Sequence, residues 1–330
     1  MHSQHSQHNG SAELPYTVDQ NQFGHHIGRR ASHRTGDPRS RSELCLWSAT
    51  VLQNNPEAIY NVHLDYYKAG ANIAITASYQ ATHLGLQKHL GLDAEQSRQL
   101  IHASVRLAQQ ARDAALKEQN TNPNTIRTLL VAGSVGPYGA YLANGSEYTG
   151  EYHLSNDAMK NFHRDRIQAL VDAGADLLAC ETMPSFDEVK SLLELMQEEF
   201  PLVKAWISCT LRDQRHLSDG TPLTQVVELV NKSDQIIALG FNCIPEQDVS
   251  SSLDHLRSLT EKPLIVYPNS GEHWDAEKRK WFGTRAEGQT LALLAKEWHR
   301  KGARFIGGCC RTTPSDVKVI YESLVSEDSN

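Results

Sequence analysis

Three cysteines stand where metal chemistry would need them. Cys243 ends an apolar run in Phe241-Asn242-Cys243, and Cys309 and Cys310 end another in Gly307-Gly308-Cys309-Cys310-Arg311. Adjacent cysteines rarely bridge each other, because the resulting ring is strained. Two soft thiolates side by side with a third nearby suit zinc. Three protein ligands leave the fourth position open, the arrangement of a catalytic rather than a structural zinc. A single cysteine at a strand end is ordinarily a buried thiol. The Gly-Gly-Cys-Cys-Arg run reverses that reading, since paired glycines thin the backbone where something must approach closely. Cys180 and Cys209 read as core thiols, and Cys45 is given no role.

Other residues could complete a site. Glu181 follows Cys180 and precedes Thr182-Met183-Pro184. A carboxylate at a strand end, entering an active-site face, can hold a substrate ammonium group. The plainer reading is a charge at the start of the next helix. Strand polarity favours the first. Two stretches follow apolar runs, 136–151, rich in Gly and Tyr, and 267–274. Loops of this length in compact domains usually bind something, the plainer alternative being surface excursions with packed aromatics. His273 alone is a poor metal ligand.

Elements able to bring these residues together are visible in the periodicity. Seven nearly continuous apolar runs, at 72–78, 128–135, 175–182, 202–210, 236–243, 263–270 and 304–310, read as parallel strands buried on both faces. Between them, 56–69, 94–117, 156–173, 186–199, 223–232, 246–259 and 289–301 carry apolar residues at helical spacing. Residues 314–324 form a closing helix with Pro314 in its first turn. Gly70, Gly174 and Gly302 each follow a helix and precede a strand, as left-handed caps do.

Alternating strands and helices imply a parallel sheet covered by helices, and in a closed barrel all strand C-termini meet on one face. Cys243 and Cys309 can then converge although far apart in sequence. The count is seven strands where a (β/α)8 TIM-type barrel needs eight. The first strand, which should precede 56–69, is therefore missing or replaced; the best apolar run there, 43–47, is short. A doubly wound open sheet competes, but it usually carries a glycine-rich phosphate turn, and none is present. Residues 1–42 read as a disordered or atypical N-terminal segment, and 43–330 as the barrel domain.

Bulk properties exclude several classes. The 330 residues carry a net charge of −7, with no basic surplus to neutralise nucleic-acid phosphates. No apolar run approaches the roughly 18 residues of a membrane span, and the N-terminus has no signal-peptide core. A cytoplasmic protein with reduced thiols is expected, so six cysteines are not a disulfide framework. His2, His5, His8, His25, His26 and His33 admit a metal-binding tail on composition alone. The Arg/Ser bias of 29–41 suggests a transit segment, but Glu13, Asp19 and Asp37 interrupt it.

Five stretches together resemble the homocysteine S-methyltransferase family: Ile75-Thr76-Ala77-Ser78-Tyr79-Gln80-Ala81-Thr82, Gly133-Ser134-Val135-Gly136-Pro137-Tyr138-Gly139-Ala140-Tyr141, Leu178-Ala179-Cys180-Glu181-Thr182, Tyr267-Pro268-Asn269-Ser270-Gly271-Glu272 and Gly307-Gly308-Cys309-Cys310-Arg311-Thr312-Thr313-Pro314. The closest resemblance is to members that use S-methylmethionine, and it runs from about residue 43 to the end. It implies a (β/α)8 barrel, one zinc per chain on Cys243, Cys309 and Cys310, L-homocysteine as methyl acceptor and Glu181 at the acceptor's amino group. Thr76 is a further acceptor-site candidate. The donor it implies is S-methylmethionine, with S-adenosylmethionine as the second choice; all partners are small molecules, with neither nucleic acid nor membrane. The family also opens with a strand ending in Asp-Gly, whose aspartate helps bind the homocysteine amino group. No Asp-Gly stands here; Gly36-Asp37 has the reverse order. A misassigned start, a substitute strand and a catalytically impaired or regulatory relative are the three explanations. A corrinoid-dependent barrel methyltransferase would need a further domain for its cofactor.

Overall fold

The computed structural model describes residues 16–19, 47–119, 127–271, 273–275 and 280–326. Eight parallel strands close into a barrel: β1 (Tyr16–Asp19), β2 (Ile73–Ile75), β3 (Leu130–Val135), β4 (Leu177–Met183), β5 (Ala205–Cys209), β6 (Ile236–Asn242), β7 (Leu264–Tyr267) and β8 (Ala303–Gly308). Each strand pairs with its neighbours in sequence, and β1 closes the ring against β2 and β8.

The first-strand slot is therefore filled. Tyr16-Thr17-Val18-Asp19 runs in register with Phe305-Ile306-Gly307-Gly308, and Val18 and Asp19 pair with Ile73 and Ala74. This corrects the expectation that nothing in residues 1–42 forms a strand. Four residues, three of them aromatic or β-branched in a row, give too short a pattern to stand out, and the pairing energy comes from two neighbours already in place. The 43–47 run is not the substitute. Trp47 begins a helix, Trp47–Asn54, and the rest of that run, Cys45 and the six N-terminal histidines lie outside the described residues.

The other expected strands are present but shorter than their apolar runs. Residues 201 and 202 form a turn rather than the start of β5, and Leu202 is 92% exposed. Residues 76–78 and 268–270 leave β2 and β7 to build the mouth. All three predicted glycine caps hold: φ is +117° at Gly70, +79° at Gly174 and +100° at Gly302. The helices Pro56–Ala69, Ala94–Gln119, Asn156–Asp172, Phe186–Glu199, Leu223–Asn231, Glu246–Arg257, Gly288–Arg300 and Pro314–Val325 match the expected series. Their apolar stripes seal the outer core, with Leu170, Leu192, Val226, Leu253 and Trp298 fully or almost fully buried. No helix of the described residues is long and apolar enough to cross a membrane.

The barrel interior is packed separately. Ile73, Ile75, Trp206, Ile265, Tyr267 and Phe305 fill it, together with Cys243, Cys309 and Cys310 at the top. Trp206 packs edge-on against Tyr267, with ring centroids 6.4 Å apart. The floor beneath the cysteines is thus aromatic and buried.

Candidate metal and substrate site at the barrel mouth

The three predicted cysteines meet at the C-terminal mouth of the barrel. Cys243 follows β6, and Cys309 and Cys310 follow β8, so β7 lies between them in the sheet. The segment after β7 stitches both turns to itself. Cys243 N–H donates to Tyr267 O at 3.3 Å, Asn269 N–H to Ile244 O at 3.0 Å, Cys309 N–H to Pro268 O at 2.8 Å and Ser270 N–H to Cys310 O at 3.1 Å. Asn269 Oδ1 accepts from Cys310 N–H at 3.3 Å. The sequence Pro268-Asn269-Ser270 is a backbone template for the cysteine pair on one side and the single cysteine on the other. Gly308 explains one of the paired glycines: a Cβ there would lie 2.2 Å from the Thr312 side chain.

All three cysteines are buried, and their sulfurs lie within 4.8 Å of one another. Cys310 Sγ is 3.9 Å from Cys243 Sγ and 4.0 Å from Cys309 Sγ. Three sulfurs on a tetrahedral zinc, each about 2.3 Å from the ion, would sit about 3.8 Å apart. Two edges of the triangle fit that value. Along the third, Cys243 and Cys309 are joined as a disulfide, with Cα atoms 5.7 Å apart. Metal can take the site only with that pair reduced. Burial pushes the Cys310 thiol up to about 12, against its own backbone N–H, which lowers it. A buried thiol of that kind ionises when a dication supplies the compensating charge. No fourth His, Cys, Asp or Glu joins the group among the described residues.

Glu181, in β4, is fully buried beside this wall. Ser134 Oγ donates to its Oε1, and Tyr267 OH donates to its Oε2 at 3.1 Å. Tyr267 in turn accepts from Trp206 Nε1 at 3.0 Å and meets Ser208 Oγ at 2.5 Å. The tyrosine proton therefore belongs to Glu181. Burial, followed by the charge of Glu181, holds the Tyr267 hydroxyl well above its ordinary range, keeping it a donor.

Thr76 reaches the same belt one step removed. Its Oγ1 accepts from Ser134 N–H at 2.9 Å and lies 2.8 Å from Ser78 Oγ. Ser78 Oγ already donates to Ser134 O at 2.8 Å, so the Thr76 proton is directed at Ser78. The threonine holds Ser134, and Ser134 holds Glu181.

Strain collects at this mouth. Of the four non-glycine residues with positive φ among the described residues, three border the site: Thr182 (61°), Cys243 (52°) and Arg311 (69°). A left-handed conformation at a β-branched residue costs on the order of 1–3 kcal/mol and persists only where surroundings enforce it. Asn242 does so. Its Oδ1 accepts from Thr182 N–H at 2.7 Å and its Nδ2 donates to Thr182 Oγ1 at 2.8 Å. One side chain thus ties the residue after Glu181 to the residue before Cys243.

A second buried network holds the 136–151 loop. Glu188 Oε1 accepts from Tyr138 N–H and from His163 Nε2, both at 2.7 Å. Arg166 donates to Gly136 O at 2.6 Å, Tyr79 O at 2.8 Å and His163 Nδ1 at 2.8 Å. His163 is therefore the neutral tautomer carrying its proton on Nε2, in keeping with burial lowering its pKa.

Ser134, Tyr267, Asn242 and Asn269 had no assigned role in the sequence reading. The first, second and fourth lie inside the quoted motifs, and polar residues at the ends of apolar strands were the signal available for all four. Cys180 and Cys209 are buried free thiols, each pushed by burial to about 12, as core residues should be.

Known proteins resemble this chain. The family model described as "Homocysteine S-methyltransferase" matches residues 25–324. The matched residues begin after β1, so the strand that closes the barrel precedes them. A homocysteine S-methyltransferase of Escherichia coli (strain K12) is 56% identical over 275 residues, covering 83% of this chain and 87% of that protein. The Bacillus subtilis (strain 168) homocysteine S-methyltransferase YbgG is 48% identical over 275 residues, covering 83% and 86%. The crystal structure of the E. coli homocysteine methyltransferase MmuM in its metallated form superposes with a TM-score of 0.79 at 49% identity, covering 94% of this chain and 96% of that one.

Proposed function

From its membership of the homocysteine S-methyltransferase family, an enzyme family to which this chain belongs, we propose that it moves a methyl group from a sulfonium donor to the thiol of L-homocysteine, giving methionine. The single observation that carries this reading is the triangle of buried sulfurs at the barrel mouth, set beside a buried carboxylate. Cys243, Cys309 and Cys310 would hold one zinc ion per chain. Bound there, zinc supplies a positive charge that favours the thiolate form of a sulfur at its open position.

The chain's own residues do the rest by positioning. Glu181 would take the acceptor's ammonium group, with Ser134 and Tyr267 each fixing one carboxylate oxygen. Thr76 would serve the acceptor site through Ser134, whose N–H it accepts. Asp19 ends β1 in register with Gly308, so a strand ending in aspartate is present although the following residue is Gln20 rather than glycine. We propose it as the counterpart of the family's first-strand aspartate. The barrel domain then comprises 43–330 together with that strand.

In the transfer, the acceptor thiol loses its proton to solvent and its sulfur forms a bond to the donor's methyl carbon. The bond from that carbon to the donor sulfur breaks, and its electron pair stays on the donor, which leaves as a neutral thioether. No general acid is required, and catalysis rests on thiolate formation and alignment. With S-methylmethionine as donor both products are methionine, and this is the preferred donor; S-adenosylmethionine is the second. The catalytically impaired reading lost its motive when β1 was found in the first-strand slot.

The test is metal analysis and methyl transfer on reduced, purified protein. About one zinc per chain and methionine formed from homocysteine and S-methylmethionine are expected. Protein that binds no metal when reduced, or turns over equally well without it, would sink the proposal.

A further inference from the structure

The mouth holds a second carboxylate that the scheme above leaves unused. Glu147 sits on the short 3-10 helix Ser146–Tyr148, in the long loop between β3 and β4. Its backbone is fixed: Thr210 Oγ1 donates to Glu147 O at 3.1 Å, and Gly139 packs so closely beneath it that a Cβ there would lie 2.5 Å from Glu147 N. Its Oε2 is buried and has no hydrogen-bond partner among the described residues. An unpartnered buried carboxylate oxygen is costly and calls for a donor from outside the chain.

Its neighbours say where that donor would lie. Tyr79 and Tyr148 both feel the Glu147 charge. Burial holds the Tyr79 hydroxyl well above its ordinary range, and Thr182, next to Glu181, is near enough to work against that rise. Burial, followed by the Cys310 sulfur, raises the Tyr148 hydroxyl, and the residue as a whole is half-exposed. The 3-10 helix that carries Glu147 packs against β4, which holds Glu181, and Thr210, which bonds Glu147 O, directly follows β5, so Glu147 stands at the C-terminal mouth of the barrel. Burial raises its carboxyl pKa, against the backbone N–H groups of Glu147 and Gly145, which lower it. A cation arriving beside it restores the charged form.

We propose that Glu147 seats the α-ammonium group of the sulfonium methyl donor, with the Tyr148 ring facing the sulfonium beside Cys310. This rests on the methyl-transfer reading and adds to it the donor's place. The charges fit. A sulfonium amino acid carries one positive charge more than the acceptor. The acceptor's ammonium is already matched to the deeper Glu181, and an in-line displacement requires the donor outside the acceptor. Aromatic faces attract such cations.

The experiment is calorimetric titration of S-methylmethionine into reduced, zinc-loaded protein in the presence of L-homoserine, whose hydroxyl replaces the attacking thiol. Glu147→Gln keeps shape and removes charge. It should weaken donor binding about 10- to 100-fold and leave homocysteine affinity and zinc content unchanged, while Glu147→Asp retains part of the affinity. (3-Carboxypropyl)dimethylsulfonium, which lacks the amino group, should bind wild type and Glu147→Gln alike. Equal S-methylmethionine affinity in wild type and Glu147→Gln overturns the seat, as does equal weakening of homocysteine, or no donor binding by wild type. Methyl transfer is read separately. Wild type that binds the donor tightly yet transfers no methyl overturns the enzymatic reading alone. Wild type that transfers methyl while Glu147→Gln binds normally overturns the seat alone.

Discussion

The two walls of the barrel mouth are built on different principles. The cysteine wall, across the ends of β6, β7 and β8, is set by main chain: four backbone hydrogen bonds run between 268–270 or Tyr267 and the two cysteine turns. The carboxylate wall, across β2, β3 and β4, is set by side chains, in the relay Thr76 to Ser134 to Glu181 and from Tyr267 to Glu181. A metal site needs its ligand atoms placed to a fraction of an ångström, and backbone pairing delivers this whatever the neighbouring side chains are. A substrate-holding carboxylate needs a defined orientation and a tuned charge, which side-chain donors supply. The cysteine wall should therefore fail only when a sulfur is lost. The carboxylate wall should degrade step by step along its relay.

The largest expected effect tests the first half of that contrast. Cys310→Ser removes the sulfur that lies 3.9 Å and 4.0 Å from the other two. Loss of residues that merely support a metal ligand costs 10- to 100-fold, so loss of a ligand itself should cost more than about 100-fold in turnover, together with the zinc. The backbone stitches do not involve the side chain, so the variant should melt as cooperatively as wild type. Metal analysis and a thermal scan read both. A variant that keeps its zinc would break the comparison at its strongest point. Oxidation should act likewise and reversibly, because joining Cys243 to Cys309 uses the sulfurs the metal needs. Zinc released on oxidation should rebind after reduction.

Glu181→Gln comes next. A charge-assisted hydrogen bond to an ammonium group is worth about 1.5–3 kcal/mol, so KM for homocysteine should rise roughly 10- to 100-fold with zinc content unchanged. Steady-state kinetics varying each substrate in turn checks this. An equal rise in donor KM would mean that the residue serves the whole mouth rather than the acceptor.

How much of this was legible beforehand follows the same division. The three cysteines and Glu181 could be found because strand polarity forces the ends of apolar runs onto one face, and because Cys-Cys after Gly-Gly is rare enough to carry meaning. Seven of eight strands were visible because burial on both faces writes a continuous apolar run. β1 was not, because Tyr16–Asp19 is four residues long and owes its place to partners more than 50 residues away at β2 and nearly 300 away at β8. Asn242 and Asn269 were quoted but given no role. Whether an asparagine at a strand end clamps a strained turn or faces water depends on which backbone groups lie opposite, and those come from other strands. Thr76 shows what sequence position alone leaves out. Its position at the end of β2 made it a substrate candidate, yet its proton and one lone pair are spent on Ser78 and Ser134.

The smallest effect probes the relay at its far end. Tyr267→Phe removes the hydroxyl that donates to Glu181 and accepts from Trp206. Glu181 keeps Ser134, so the carboxylate loses one of two fixed contacts, about 1 kcal/mol, and kcat/KM for homocysteine should fall roughly fivefold. The Trp206 indole N–H, now unpartnered in the buried barrel floor, should lower stability by a further 1–3 kcal/mol or so. Zinc content should not change, although Tyr267 O accepts from Cys243 N–H, because that contact belongs to the backbone. A loss of metal in Tyr267→Phe would show that the two walls are energetically one, and that side-chain packing around Tyr267, rather than the main chain of 267–270, sets the cysteine geometry.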